Sequence, residues 1–508
     1  MLVYIRNYVH GPYSIGEEVI DSPVPHKWLN GDTIDPTTNQ TVSRTTHRSV
    51  VGIVEYLNRT GQGFTSRGIP LYLFHPLDPA YPPMIVASSS KPKQNMLCVA
   101  SIEHWKDKWP RAGIQKTLGP VGDRDVERYA LCLRADVPAL KSNADVPIAN
   151  TDHYKLLEGF TFHIDPEGCE DVDDVLVWNE TEFGICIADV AQWVPENSEY
   201  DVYAEQLGQT LYVDGTPIRP MLPSSLSTQQ ASLRSDTTYR LVVAYIYTFQ
   251  DGVCSSRFER RMIQVQHTYT YDSVYKNKEL CSKLTDMLQT IWGSDVGSDS
   301  HRWIEIAMIL YNRAVAQVLR SHGKGILRYH NGRSSDEWSA LAEKTECPEL
   351  AHFGSSAGMY VCATSEHVEH AGLGLDVYCH ASSPLRRYAD LVNQRWLHHL
   401  LFQEPAPTKL YNIPHLNHRG QIAKQLDRDL WYLERIHTDT ITDVRGILLR
   451  KKSDSEWTLY VPEWKRKIRG KSEYMEHIEH SVGDFVHVRV YTDLRKTNWA
   501  NRIVCSFS

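Results

Sequence analysis

Residues 163–178 read HIDPEGCEDVDDVLVW, and they constrain the chain more than any other stretch. Asp165, Asp171, Asp173 and Asp174 fall within ten positions, with Glu167 and Glu170 between them. Ile164 precedes the cluster, and Val175, Leu176 and Val177 follow it. One buried strand must therefore run into the acidic segment and another must leave it. Two carboxylates about 4 Å apart repel by about 4 kcal/mol at an effective dielectric near 20. A fold tolerates several such pairs only where they are well solvated or share a cation. An all-oxygen set suits a hard ion, Mg²⁺ or Mn²⁺, that also holds phosphates. An EF-hand is excluded, because Cys169 and Val175 break both registers of alternate oxygen ligands. The residues alone leave two readings open, a metal site and a solvated acidic loop.

A second segment carries chemistry: YCHASSPLRRYADLVNQRW, residues 378–396. Ser383-Pro384 predicts a helix start, with Arg386 and Arg387 just inside it. A guanidinium beside a metal site neutralises charge on a phosphoryl group. By itself a double arginine at a helix start is more often a surface or ion-pair feature. Upstream, HRWIEIAMILYNRAVAQVLRSHG places Trp303, Ile304, Ile306, Met308, Ile309, Ala314 and Val315 near helical spacing, with Gly323 as a stop. That stretch reads as core.

Around these segments lie short β-branched runs between Gly and Pro turns. VVGIVEYL, PLYLF, MIVAS and MLCVASIEHW predict a small antiparallel barrel of the OB type over 48–118. Residues 1–34 are too short for a core of their own, and the Thr-rich 35–48 reads as a linker. GILLRKK, WTLYVPE, DFVHVRVY and NRIVCSF predict a second barrel from Val444 onward. Residues 415–440 read as a polar helical connector.

The chain has 508 residues with 42% hydrophobic content, which fits two to four soluble globular domains. No apolar run approaches the roughly 18 residues of a membrane helix, and the first 22 residues carry no signal-peptide core. Ten cysteines without a C-x-x-C pair read as reduced intracellular thiols, which leaves the sequons at Asn58 and Asn179 without weight. The net charge of −8 speaks against a polyanionic partner. Its distribution does not: residues 445–471 hold nine Lys and Arg (Arg445, Arg450, Lys451, Lys452, Lys465, Arg466, Lys467, Arg469 and Lys471) against Asp454, Glu456 and Glu463. Local fields steer a polyanion.

Taken together, the spacing Asp165-x5-Asp171-x-Asp173-Asp174, GICIADVAQWV and YCHASSPLRRYAD resemble the RNase II/RNase R family of exoribonucleases. LGPVGDRDVE, MLPSSLSTQQASLRSDTTYRL, GILRYH and HAGLGLDVYCHASSPLRRYADL fall in the family's order and extend the resemblance over about 50–508. IDPEGCEDVDD and SLRSD are most similar to the eukaryotic branch, the exosome's catalytic exoribonuclease and its cytoplasmic relatives. The chain departs from the family at Ala381-Ser382, where Phe-Thr is usual, and at Gln394, where His is usual.

The resemblance implies an α+β multidomain protein: a mixed α/β RNB catalytic domain flanked by small OB-fold barrels. Its parts would be a partial cold-shock-like segment or extension at 1–47, a cold-shock OB-fold at 48–118, the RNB domain at 119–402, a helical connector at 403–440 and a C-terminal OB-fold at 441–508. The N-terminal endonuclease domain of the exosome subunit is expected to be absent. The implied activity is processive 3′→5′ hydrolysis of single-stranded RNA to nucleoside 5′-monophosphates, with two Mg²⁺ ions, or Mn²⁺ in their place. By position, Asp165, Asp171, Asp173 and Asp174 correspond to the family's metal-site aspartates, with Asp171 and Asp173 also taken as catalytic. Arg386 corresponds to the arginine at the scissile phosphate. Tyr212 and Tyr271 fall where the family contacts the RNA end. Arg387, Lys465, Arg466, Lys467 and Arg469 complete the expected RNA contacts, and His163, His330, His370 and His380 are read as hydrogen-bonding or packing residues. The expected setting is an intracellular monomer, cytoplasmic or nuclear, beside other RNA-decay factors and away from membranes. Two alternatives stand: an inactive RNB-fold RNA-binding regulator, and a metal-dependent phosphodiesterase of DNA or nucleotides.

Overall fold

The computed structural model describes residues 3–15, 18–35, 37–43, 49–58, 62–136, 149–250, 253–332, 336–354, 357–435, 441–453, 456–472, 480–493, 496 and 502–507. Two units make up the chain, one from Met1–Asp136, Ala340–Pro348 and Lys424–Ser508, the other from Val137–Ser339 and Glu349–Ala423.

In the first unit, β-branched and aromatic runs close two barrels. Val50–Val54, Leu71–Pro76, Met84–Ala87, Met96–His104 and Arg111–Pro120 form one, around Val54, Phe74, Met84, Val86 and Cys98. Thr442–Lys451, Glu456–Val461, Arg466–Ser472, Phe485–Thr492 and Ile503–Phe507 form the other, around Leu448, Trp457, Leu459, Val488 and Phe507. The helix Arg124–Ala135 follows the first barrel, with the Asp123 side chain accepting from the Val126 N–H at its start. Glu127 and Arg134 of this helix pair with Arg502 at 2.6 Å and Asp429 at 2.8 Å, all four side chains buried. Among the described residues, those before Val50 do not form a closed barrel. They make a three-stranded sheet (Val3–Ile5, Tyr13–Ile15, Glu18–Ile20) and a strand pair (Thr33–Ile34, Thr41–Ser43). The expected linker at 35–48 is thus partly a hairpin arm, with Asp35 accepting from the Thr37 N–H inside the turn. Residues 36 and 44–48 of that linker, the turn residue Gly61, Asp454 and the connector's 436–440 lie outside the described residues.

The second unit is built on a seven-stranded sheet. Its order is Lys155–Leu156, Val253–Gln264, Tyr239–Gln250, Glu182–Ala188, Asp174–Trp178, Phe160–Asp165 and His267–Thr270. The outermost pairs on both edges are parallel and the four inner pairings antiparallel. Phe162, Ile164, Leu176, Trp178, Phe183, Ile185, Ile187 and Val243 form one core with the helices Lys278–Trp292 and Ser300–His322. In the second helix Trp303, Ile304, Ile306, Ile309, Ala314 and Val315 are buried and Met308 is half-buried, as the spacing predicts. Gly323 ends it in the left-handed region, φ 62°. Burying a full helix face against a sheet is what makes such a helix stable in water. Among the described residues no helix is long and apolar enough to cross a membrane.

This unit also buries charge away from the acidic loop. The His398 imidazole lies 3.0 Å from Asp189 and 3.3 Å from Glu404, and the Tyr154 hydroxyl donates to Asp189 at 2.6 Å. Burial pulls the His398 pKa down, but Asp189 and then Glu404 outweigh it and push it up to about 9. The ordinary histidine value is about 6.5. Because the folded pKa is the higher one, this stabilisation is complete below pH about 6.5 and is lost as pH rises through about 9. Thermal melts from pH 6 to 10 are expected to show that loss in the parent, and His398→Gln is expected to flatten it.

Candidate active site

The acidic segment is the connection of two neighbouring antiparallel strands. Asp165 is the last residue of Phe160–Asp165 and Asp174 the first of Asp174–Trp178. Three hydrogen bonds from the 232–233 region pin the intervening loop. Ser232 Oγ donates to the Glu170 carbonyl at 2.7 Å and accepts from the Val172 N–H at 3.1 Å, and the Leu233 N–H donates to the Val172 carbonyl at 2.9 Å.

Asp173 is the buried member, 3% exposed. Its Oδ1 accepts from the Leu385 N–H at 2.9 Å and its Oδ2 from Arg386 Nε at 3.0 Å. Burial pushes its pKa up to about 7, against the opposing pull of the Arg386 guanidinium and the Leu385 N–H. The Arg386 side chain donates also to Ser383 Oγ at 3.0 Å, and 44% of it remains exposed. One face of the guanidinium is thus tethered and another faces solvent.

Asp171 accepts from the Tyr212 hydroxyl at 2.6 Å. Asp165 takes a hydrogen bond from His163 Nδ1 at 2.8 Å, and the other ring nitrogen of His163 meets Thr268 Oγ1 at 2.9 Å. Asp174 is held well above the usual carboxylate range, first by burial and then by the charges of Asp165 and Asp173. Tyr271 stands close enough that burial, then Asp174 and Asp165, push its phenol up to about 12. Its ring lies flat on His301, centroids 3.8 Å apart and planes 11° from parallel.

Three expectations need correction. The helix of residue 388 onward does not open at Ser383-Pro384; it runs Tyr388–Phe402. The backbone around the arginines is drawn into another pairing: the Thr210 N–H donates to the Arg386 carbonyl and the Tyr388 N–H to the Gly208 carbonyl. Gly208 has φ +76°, and a Cβ there would stand 2.7 Å from Arg419 Cβ, so this close approach requires glycine. Arg387 is not an open RNA contact: its Nη2 donates to Asp390 at 2.8 Å and its side chain is 22% exposed. The four aspartates differ in their surroundings. Asp171 and Asp173 are engaged by Tyr212 and by Leu385 and Arg386, and among the described residues no three His, Cys, Asp or Glu side chains converge as a metal cage. Arg466, read as an RNA contact, lies over the Trp431 ring at 4.9 Å and reaches Asp427 at 3.4 Å.

The donor set still fits Mg²⁺. Burial, and then the charges of Asp165 and Asp173, hold the Asp174 carboxyl above the usual range, and a cation shared with Asp165 would lower it again. Mg²⁺ is commonly bound by one or two carboxylates together with substrate phosphates, so a protein cage is not required. Asp165 and Asp174 are the pair that would hold it.

Sequence reasoning missed the Ser232 clamp, the Asp390 anchor under Arg387 and the His301 ring on Tyr271. SLRSD was visible as a motif, but nothing in its spacing tells that its first serine ties down a loop 60 residues away.

Residues 154–291 and 283–403 match the RNB domain, and residues 71–136 match the Dis3-like cold-shock domain 2 (CSD2). Ribonuclease R of Helicobacter pylori (strain ATCC 700392 / 26695) is 25% identical over 354 residues, 55% of this chain and 54% of that protein. The exosome complex exonuclease RRP44 of Mus musculus is 23% identical over 449 residues, 68% of this chain and 47% of that protein. The chain spans about half the length of these curated relatives. In fold it is similar to Mycoplasma genitalium RNase R, solved in complex with ribose methylated single-stranded RNA, at TM-score 0.71 and 17% identity over 100% of both chains. It is similar also to yeast Ssd1, a pseudonuclease, at TM-score 0.66 and 15% identity over 89% of this chain and 69% of that one. The expected fold class, a mixed α/β RNB domain with small barrels, holds.

On the strand Arg466–Ser472, Lys467, Arg469 and Lys471 are exposed while Ile468 and Gly470 turn inward. If this edge holds a nucleic-acid backbone, replacing all three by Ala is expected to weaken single-stranded RNA binding. The slope of log K against log[salt] should shrink by about 0.7 for each phosphate that is no longer neutralised. Fluorescence anisotropy across a KCl series checks it, and an unchanged slope assigns the edge to solvent.

Proposed function

The chain belongs to the RNB-domain family, and on that premise we propose that it is a 3′→5′ hydrolytic exoribonuclease that degrades single-stranded RNA processively to nucleoside 5′-monophosphates. The observation that carries this reading is the Asp173–Arg386 pair, a half-exposed guanidinium near the Asp174 carboxyl, which in turn neighbours Asp165.

Each residue has a part in that chemistry. Arg386 offers fixed positive charge to the scissile phosphate, where negative charge grows in the transition state. Asp173 orients Arg386 and, through the Leu385 N–H, the turn that carries it. Tyr271, backed by His301, and Tyr212, held by Asp171, are the aromatic surfaces for the 3′-terminal nucleotides. Stacking on such rings accepts every base and contributes about 1–3 kcal/mol each, which suits degradation without sequence preference. Asp165 and Asp174 would hold Mg²⁺, which when bound supplies an acidified water and neutralises phosphate oxygens. We assign the protein to an intracellular RNA-decay setting, acting as a monomer on RNA.

A second reading, an RNA-binding protein of this fold without turnover, draws on Asp171 and Asp173 being engaged by protein donors, Tyr212 on one and Leu385 and Arg386 on the other. A 5′-labelled RNA and a matching DNA, incubated with Mg²⁺ or with EDTA, separate the two and also test a DNA-directed activity. Stepwise shortening of RNA alone, abolished by EDTA, is the expected result.

Asp173→Asn keeps an oxygen for the Leu385 N–H but turns an amide toward Arg386 Nε, donor against donor. Arg386 is open to solvent, so the fold should survive its release. Turnover is expected to fall at least about 100-fold, the scale of one electrostatic transition-state interaction. Kd for single-stranded RNA in EDTA should be unchanged or lower, since one negative charge has gone. A folded D173N protein that degrades RNA at the parent rate would remove this loop from the active site.

A further inference from the structure

His163 lies two residues before Asp165 on the strand Phe160–Asp165, so both side chains leave the same face of the sheet. In the parallel pairing with His267–Thr270, His163 stands directly opposite Thr268. The imidazole thus sits between a neighbour on its own strand and one across the ladder, and it bonds both. Nδ1 meets Asp165 Oδ2 at 2.8 Å, and Nε2 meets Thr268 Oγ1 at 2.9 Å. The ring is buried, 4% exposed, and both of its nitrogens are held.

An ionised carboxylate only accepts hydrogen bonds, so the proton of the first contact belongs to Nδ1. Oδ2 of Asp165 is then occupied by a fixed N–H donor. Among the described residues no donor reaches Oδ1, and the side chain remains 19% exposed. Asp165 therefore has one oxygen engaged by the protein and one left for a further partner. That asymmetry discriminates between cations. Mg²⁺ demands near-ideal octahedral geometry, which a carboxylate can serve with a single oxygen. Ca²⁺ gathers about six to eight oxygens in flexible geometry, often both from one carboxylate. A carboxylate with one oxygen already bonded suits the first ion and denies the second its two-oxygen grip. Groups that fix a metal ligand from behind also raise its affinity for the metal.

We propose that His163 is a positioning residue that holds Asp165 as a one-oxygen ligand, and so sets the preference of the Asp165–Asp174 pair for Mg²⁺ over Ca²⁺. This rests on Asp165 and Asp174 being the pair that holds Mg²⁺. Thr268 takes part by keeping the far end of the ring in place.

Four variants of the full chain are compared with the parent by thermal melts across separate MgCl₂ and CaCl₂ series, without RNA. His163→Asn keeps an N–H donor at the Nδ1 position. His163→Gln carries its amide toward the Nε2 position instead, and His163→Phe keeps the ring shape with no donor. Asp174→Asn removes a proposed ligand. The rise of Tm with ion concentration gives the affinity for each ion. The parent and H163N are expected to prefer Mg²⁺. In H163Q and H163F the Mg²⁺-to-Ca²⁺ affinity ratio should fall at least about 10-fold, the scale of losing a group that orients a metal ligand. A purely structural role would lower Tm without ions and shift both series together, leaving the ratio unchanged. An unchanged ratio in folded H163Q or H163F overturns the proposal, and the Mg²⁺ assignment survives it if D174N abolishes the Mg²⁺ rise. If the parent shows no Mg²⁺ rise that D174N removes, the assignment of the pair falls and the proposal with it. If neither donor-free variant folds, His163 belongs to the core and the proposal is overturned.

Discussion

Asp173 joins two segments more than 200 residues apart in sequence, and the geometry of the candidate site hangs on that junction. Its two oxygens take one main-chain donor and one guanidinium from the same turn, at 2.9 and 3.0 Å. A buried carboxylate with a raised pKa is expensive alone. Accepting both donors makes its burial tolerable and fixes the position of Arg386. Charge-assisted bonds of this kind are about twice as strong as neutral ones. Loop, turn and arginine therefore form one mechanical piece.

The same logic repeats around it. Asp390 takes the Ser383 N–H and Arg387, so the turn is held from below as well. Asp201, wholly buried, gathers Arg395 at 2.7 Å, the Tyr388 hydroxyl at 2.8 Å and Lys409 at 2.9 Å, which anchors the start of the helix Tyr388–Phe402. Gln394, which departs from the usual family residue, bonds the Ala188 carbonyl at 2.8 Å and the Ala191 N–H at 2.9 Å. It ties that helix to the end of the sheet strand Glu182–Ala188, a packing role that carries no direct chemistry.

Much of this is legible in the chain itself. The bracket of apolar residues around the aspartates places them between two strands, and periodicity identifies the buried face of Ser300–His322. The barrels are readable from β-branched runs and turns. The pairing of 208–210 with 386–388 is not, because a β-bridge between distant loops leaves no periodic trace. Nor can composition separate the aspartates. Asp171 and Asp173 look identical in sequence, yet one receives a phenol and the other an arginine. Arg387 and Arg466 read as free cations because charge is visible in a sequence, whereas Asp390 and the Trp431 ring beneath them are visible only in space.

The tether on Arg386 also governs the resting protein. With its guanidinium lying on Asp173, the strongest cation of the pocket is largely quenched from the outside. Stray anions meet a muted field, and the aspartate is shielded from stray cations in turn. The Nε edge of the guanidinium stays on Asp173, so an anion meets Arg386 only from its solvent side, and the direction of approach is set before anything binds.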